Sequence, residues 1–170
     1  MRRKRLTTQK IAQCGLLTAV MLVLGFIESL IPISVGVPGI KLGLSNGVLL
    51  FALYMMDAPT AFVLMVLKVL LSGLLFGGVS AMMYAFAGGL LSMLGMILLK
   101  KMNFSILAVS MAGGVLHNVG QVLLAMLILQ TSQLLYYMAI LLFVGLACGA
   151  ITGIAARATI SHMKKLDRRS

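Results

Sequence analysis

Acidic side chains are nearly missing from this chain: Glu28, Asp57 and Asp167 are the whole inventory in 170 residues. Three scattered carboxylates cannot build the aspartate-rich clusters that hold magnesium for diphosphate chemistry, so a catalytic reading of that kind fails on inventory. Cysteine occurs twice, as Cys14 and Cys148, each isolated on an apolar segment. Without CxxC or metal-ligand spacing they read as buried free thiols, and no metal site is expected. No GxxxxGK[ST] and no HExxH occur either, which leaves the chain without a P-loop for ATP or a zinc-protease signature. No cofactor is expected. A binding or transport subunit needs none of these features and can depend on a partner for energy.

What is abundant is apolar surface. The chain is 61% hydrophobic and 10% charged with a mean hydropathy of +1.12, outside the range of a domain that must cover itself with polar groups. It reads as an integral membrane protein. Fourteen Lys and Arg give a net charge of +11, which in a soluble protein would suggest nucleic acid. Here the basic residues gather at the chain ends, so membrane orientation explains them and nucleic acid is set aside. The basic start followed by an apolar run lacks a small-x-small cleavage site and reads as a retained first helix.

A helix needs about 20 residues to cross the hydrocarbon core. Cutting at polar and turn residues gives six spans, at 11–30, 41–57, 60–77, 80–99, 105–129 and 133–156. The expected organisation is a basic segment 1–10, a six-transmembrane-helix all-α domain 11–156, and a basic tail 157–170. Arg2, Arg3, Lys4, Arg5 and Lys10, then Lys100 and Lys101, then Arg157, Lys164, Lys165, Arg168 and Arg169 fall on alternate junctions. By the positive-inside rule both termini are cytoplasmic; the expected location is a bacterial plasma membrane.

The last span carries Gly145, Gly149 and Gly153 on one face, a helix-packing signal whose neighbour is another helix of the chain, a second copy or another subunit. Ala12, Gly15 and Ala19 form a similar face on the first span, for a partner helix or for internal packing. The abundant methionines read as adaptable apolar filler.

Ionisable groups at bilayer depth cost about 2.5–3.5 kcal/mol on insertion scales and should face the interior. Glu28 and Lys41 flank the outer connection between the first two spans, where they either pair with each other or face a shared site. Lys68 falls mid-span, as a snorkelling structural lysine or a site residue. Ser110, Gly114, His117, Asn118 and Gln121 make one polar stripe, which favours a cavity wall over a lone core histidine. Pro32, Pro38 and Gly39 shape the connection leading to Lys41, and Ser45 and Asn46 follow one turn deeper. That helix start either anchors at the interface or stabilises an anionic group.

The stretch "GFIESLIP…VPGIKLGLSNGVLLFALY", after "KIAQCGLLTAVMLVL", resembles the Gx transporter family, also labelled heptaprenyl diphosphate synthase component I. That family in turn resembles the S components of energy-coupling factor (ECF) transporters. The resemblance implies an S-component-like bundle with an extracytoplasmic substrate cavity, an outer gate loop at Pro32, Pro38 and Gly39, and docking of a transmembrane coupling subunit on Ala12, Gly15 and Ala19. Separate ATPase subunits would supply energy. S components typically carry an alanine pair where this chain has Gly15 and Ala19. The expected function is a substrate-binding subunit, not an enzyme, for a vitamin-like, anionic or flavin-type molecule bound by Glu28, Lys41, Asn46, Lys68, His117, Asn118 and Gln121. The synthase label implies the alternative, a noncatalytic membrane component of isoprenoid (heptaprenyl diphosphate or quinone) synthesis.

Overall fold

A computed structural model describes residues 7–30 and 43–167. Lys41, Pro32, Pro38 and Gly39 lie outside the described residues. Six α-helices follow one another: α1 (Thr8–Leu30), α2 (Leu44–Met55), α3 (Ala58–Ser72), α4 (Gly78–Lys101), α5 (Ile106–Leu129) and α6 (Leu134–Asp167). A π-helical turn, Gly73–Gly77, joins α3 to α4. The described residues contain no strand, as an all-α chain requires.

Four stretches are long and apolar enough to cross a membrane: Thr8–Leu30, Ala58–Lys101, Ile106–Leu129 and Leu134–Lys165. The chain is therefore a multi-pass membrane protein by its helices. The second stretch folds back on itself. Gly78 sits at φ +73°, a conformation that glycine adopts without steric cost, and its N–H closes the π turn on the Gly73 carbonyl. Beyond it α4 runs back along α3, with Gly73 against Met82 and Gly89 against Met65.

The expected span 41–57 is helical, among the described residues, only over Leu44–Met55. At 12 residues α2 is roughly 18 Å long, against about 30 Å of hydrocarbon. Its end is set by Asp57, whose carboxylate accepts from Thr60 N at 2.8 Å and so caps α3, with Pro59 in the first turn. At the other end of the chain α6 continues past residue 156 to Asp167, so the first eleven residues of the expected tail are helix.

Glycines decide how closely α5 and α6 approach. A Cβ on Gly145 would lie 2.8 Å from the Gly114 carbonyl oxygen, one on Gly149 2.7 Å from Met111 Cα, and one on Gly153 2.8 Å from Ser110 Cβ. The glycine ladder thus meets α5 of its own chain. Dispersion between close backbones replaces the hydrophobic drive that lipid surroundings cannot supply. Gly88 and Gly120 do the same between α4 and α5.

The core draws on all six helices: Met21, Leu50, Leu53, Met65, Met93, Val109 and Ile160 are buried. Methionine supplies several of these, in keeping with its role as filler. Large apolar side chains also cover the outside, among them Leu74, Val79, Leu127 and Phe143. In water such a surface would aggregate; facing lipid it is the expected exterior.

Candidate functional site

At one end of the bundle the helices are tied together by charged groups. Lys10 on α1 pairs with Asp57 at 2.8 Å. Lys100 on α4 donates to the Leu53 carbonyl at the end of α2 and lies 4.9 Å from the centroid of the Tyr54 ring. These contacts place Lys10, Asp57 and Lys100 at one end of the bundle, which serves as a reference for depth.

Asn46 precedes Asp57 by eleven residues and Lys68 follows it by eleven, so each lies about 16 Å from that end by helical rise. They meet there: Lys68 Nζ donates to Asn46 Oδ1 at 3.2 Å. His117 is likewise eleven residues into α5 from Ile106. Three of the expected site residues therefore share one level near the middle of the bundle. Because α2 is short, its described amino-terminal end lies at this level, with Gly43 in the left-handed region at φ +81° just before it.

Glu28 is buried on the same face of α1 as Met21 and Gly25. Both cysteines are free and half-buried.

The polar stripe on α5 divides between two neighbours. Gln121 Nε2 donates to His117 Nε2 at 2.9 Å along the helix, and a Cβ at Gly88 of α4 would touch both side chains. Asn118 Nδ2 instead donates to the Leu141 carbonyl of α6 at 2.7 Å. Ser110 Oγ lies 3.2 Å from Thr152 Oγ1, and Thr152 also donates to the Cys148 carbonyl at 2.8 Å. Ser110 and Asn118 thus bridge α5 to α6, while His117 and Gln121 face α4.

Two further polar atoms escaped attention in the sequence or were weighted lightly. Ser45 Oγ, fully buried beside Asn46, and Ser92 Oγ on α4 have no hydrogen-bond partner among the described residues. A buried hydroxyl without a partner costs free energy, about 1–3 kcal/mol. Ser92 gave no signal because a single serine in an apolar helix can always bond its own backbone.

The Ala12, Gly15 and Ala19 face of α1 is exposed, and a Cβ added at Gly15 would meet nothing within 4 Å. Between internal packing and an outward face, the geometry at Gly15 is outward. Beside it, an apolar groove of about 420 Å³ runs between α1, α2 and α6, lined by Leu17, Val20, Leu24, Phe51 and Ala156 among others.

The arrangement is that of a multi-pass helical membrane protein with several polar side chains buried among its helices. Residues 17–159 match the family model described as heptaprenyl diphosphate synthase component I, and the chain belongs to that family. No curated protein and no solved structure matches the chain.

Proposed function

We propose that this chain is the substrate-binding membrane subunit of an energy-coupling factor type transporter, carrying a vitamin-like, anionic molecule of the flavin type. The observation that carries the reading is the Lys68 to Asn46 bond at mid-bundle depth. A lysine that only needed relief from lipid would extend toward the nearer interface; this one is held by an amide on a neighbouring helix. With the amino end of α2, which stabilises negative charge, it forms a cationic floor. Asn46, Lys68, His117 and Gln121 line the site in this reading, Glu28 and Lys41 bound it on the outer side, and Asn118 positions α5. Pro32, Pro38 and Gly39 form the gate above.

The bundle then crosses a bacterial plasma membrane six times with both termini cytoplasmic. The open Ala12, Gly15 and Ala19 face receives the coupling subunit, which joins the chain to separate ATPases.

The test is ligand binding by the purified full chain, read as thermal stabilisation and by calorimetry across riboflavin, flavin mononucleotide and uncharged vitamins. Anionic flavins stabilise the wild type, and Lys68→Met loses at least tenfold in affinity while its ligand-free melting temperature stays within a few degrees. No stabilisation by any of the panel overturns the reading.

A second reading is favoured by the family match itself: a noncatalytic membrane component of heptaprenyl diphosphate synthesis. With three carboxylates in the sequence, such a role needs a separate catalytic partner. Prenyl transfer by that partner, measured with and without this chain, separates the two.

A further inference from the structure

At the basic end of the bundle a cleft of about 310 Å³ opens between α5 and α6, lined by Leu107, Ile154, Arg157, Ala158 and Ser161. Its composition is divided. Leu107 and Ile154 form an apolar wall, while Arg157 and Ser161, one turn apart on α6, present a guanidinium and a hydroxyl. Arg157 is 23 residues from the start of α6 at Leu134, roughly 35 Å by helical rise, so it emerges just beyond about 30 Å of hydrocarbon. The cleft therefore straddles the boundary between acyl chains and headgroups.

Charge says what fits there. Asp57 is engaged by Lys10. Asp167 is ten residues further along α6, about 15 Å by helical rise. Glu28 is buried on α1 eighteen residues beyond Lys10, about 27 Å from this end by helical rise. Among the described residues Arg157 makes no ion pair. The amino terminus of α5 adds to the positive field: Ser105 Oγ accepts from Ala108 N at 3.2 Å, which leaves the first N–H groups of the helix, at Ile106 and Leu107, directed out of it beside the cleft.

We propose that this cleft binds an anionic phospholipid, with the phosphate held by Arg157, Ser161 and the amino end of α5 and an acyl chain lying along Leu107 and Ile154. A free anion would use the basic groups but not the apolar wall, and a neutral lipid the reverse; only an anionic amphiphile uses both. The site is separate from the mid-bundle residues and does not depend on what they bind.

The full chain, purified in detergent, is titrated with phosphatidylglycerol, phosphatidylcholine or inorganic phosphate, with bound lipid counted by native mass spectrometry. Phosphatidylglycerol is retained one per chain and phosphatidylcholine is not. Arg157→Gln weakens retention about tenfold, the scale of one charge-assisted hydrogen bond, whereas Lys165→Gln, also basic and on α6, leaves it unchanged. Ala158→Phe fills the cleft without altering charge and abolishes retention, which keeps the test decisive if Arg157→Gln does not fold. Equal retention of the two lipids, unchanged retention in the Ala158→Phe variant, an equal loss in Lys165→Gln, or displacement by millimolar inorganic phosphate overturns the proposal.

Discussion

Gly15 and Gly145 both sit in small-residue patterns of four-residue period, and a methyl group separates their fates. At Gly145 an added Cβ would lie 2.8 Å from the Gly114 oxygen and 3.0 Å from Asn118 Nδ2, and the backbone it meets cannot rotate aside. Gly145→Val therefore forces α5 and α6 apart and strains the Asn118 bond to Leu141. The expected cost is about 1–3 kcal/mol, the range for overpacking. At Gly15 the space is open, and Gly15→Val leaves the stability of the isolated chain within about 0.5 kcal/mol, as for an outward site. Thermal or denaturant unfolding in one detergent checks both. Equal destabilisation by the two substitutions would mean that Gly15 packs internally. A loss of coupling-subunit capture by Gly15→Val, with stability intact, is what the docking role requires. The same comparison explains why neither could be decided from spacing: the period marks a close-approach face but does not say what approaches it.

The helices themselves were legible because each apolar run is bounded by a polar or glycine break, as at Asp57, Gly78 and Ser105. Where the expectation missed, the cause lies in three dimensions. The start of α2 at Leu44 follows Gly43 in a left-handed turn that glycine permits and the sequence does not demand. The helical continuation of α6 past 156 rests on good helix formers in a stretch whose charge alone marked it as a tail. The His117 to Gln121 pair could be read as i, i+4 on one helix, whereas Lys68 to Asn46 and Ser110 to Thr152 join different helices and no periodicity names such partners. One interhelical tie has a pH signature. Lys10, and the Thr60 side chain and backbone, hold the Asp57 carboxyl below its ordinary value of 3.8. A carboxyl whose folded value is depressed contributes stability above its unfolded value, near pH 4, and loses that contribution as pH falls further. The tie of α1 to the start of α3 thus weakens below about pH 4. Asp57→Asn removes this dependence: its melting temperature is lower than wild type at pH 7, and the gap begins to narrow as the pH falls from 4 toward 3. Parallel curves over that range would show that Asp57 contributes nothing through its charge.

Across the whole bundle the basic groups are divided unevenly. Lys10, Lys100 and Lys101 lie at one end together with Arg157, Lys164 and Lys165, and the links 130–133 at the far end of α5 carry no charge. The contacts of Lys10 with Asp57 and of Lys100 with Leu53 put the start of α1 and the end of α4 on the same side of the molecule. An even number of crossings must therefore separate those points. If the positive-inside rule governs this chain, that side is cytoplasmic. In a background carrying Cys14→Ser and Cys148→Ser, single cysteines at Thr7, Met102 and Ser132 report the arrangement to a membrane-impermeant maleimide applied to intact cells. Ser132→Cys is labelled at once, whereas Thr7→Cys and Met102→Cys react only after permeabilisation. Labelling of Thr7→Cys with Met102→Cys protected would require an odd number of crossings between them. That outcome would reduce α2 to a helix that enters and leaves by the same face, and would count against the proposed binding site at Lys68.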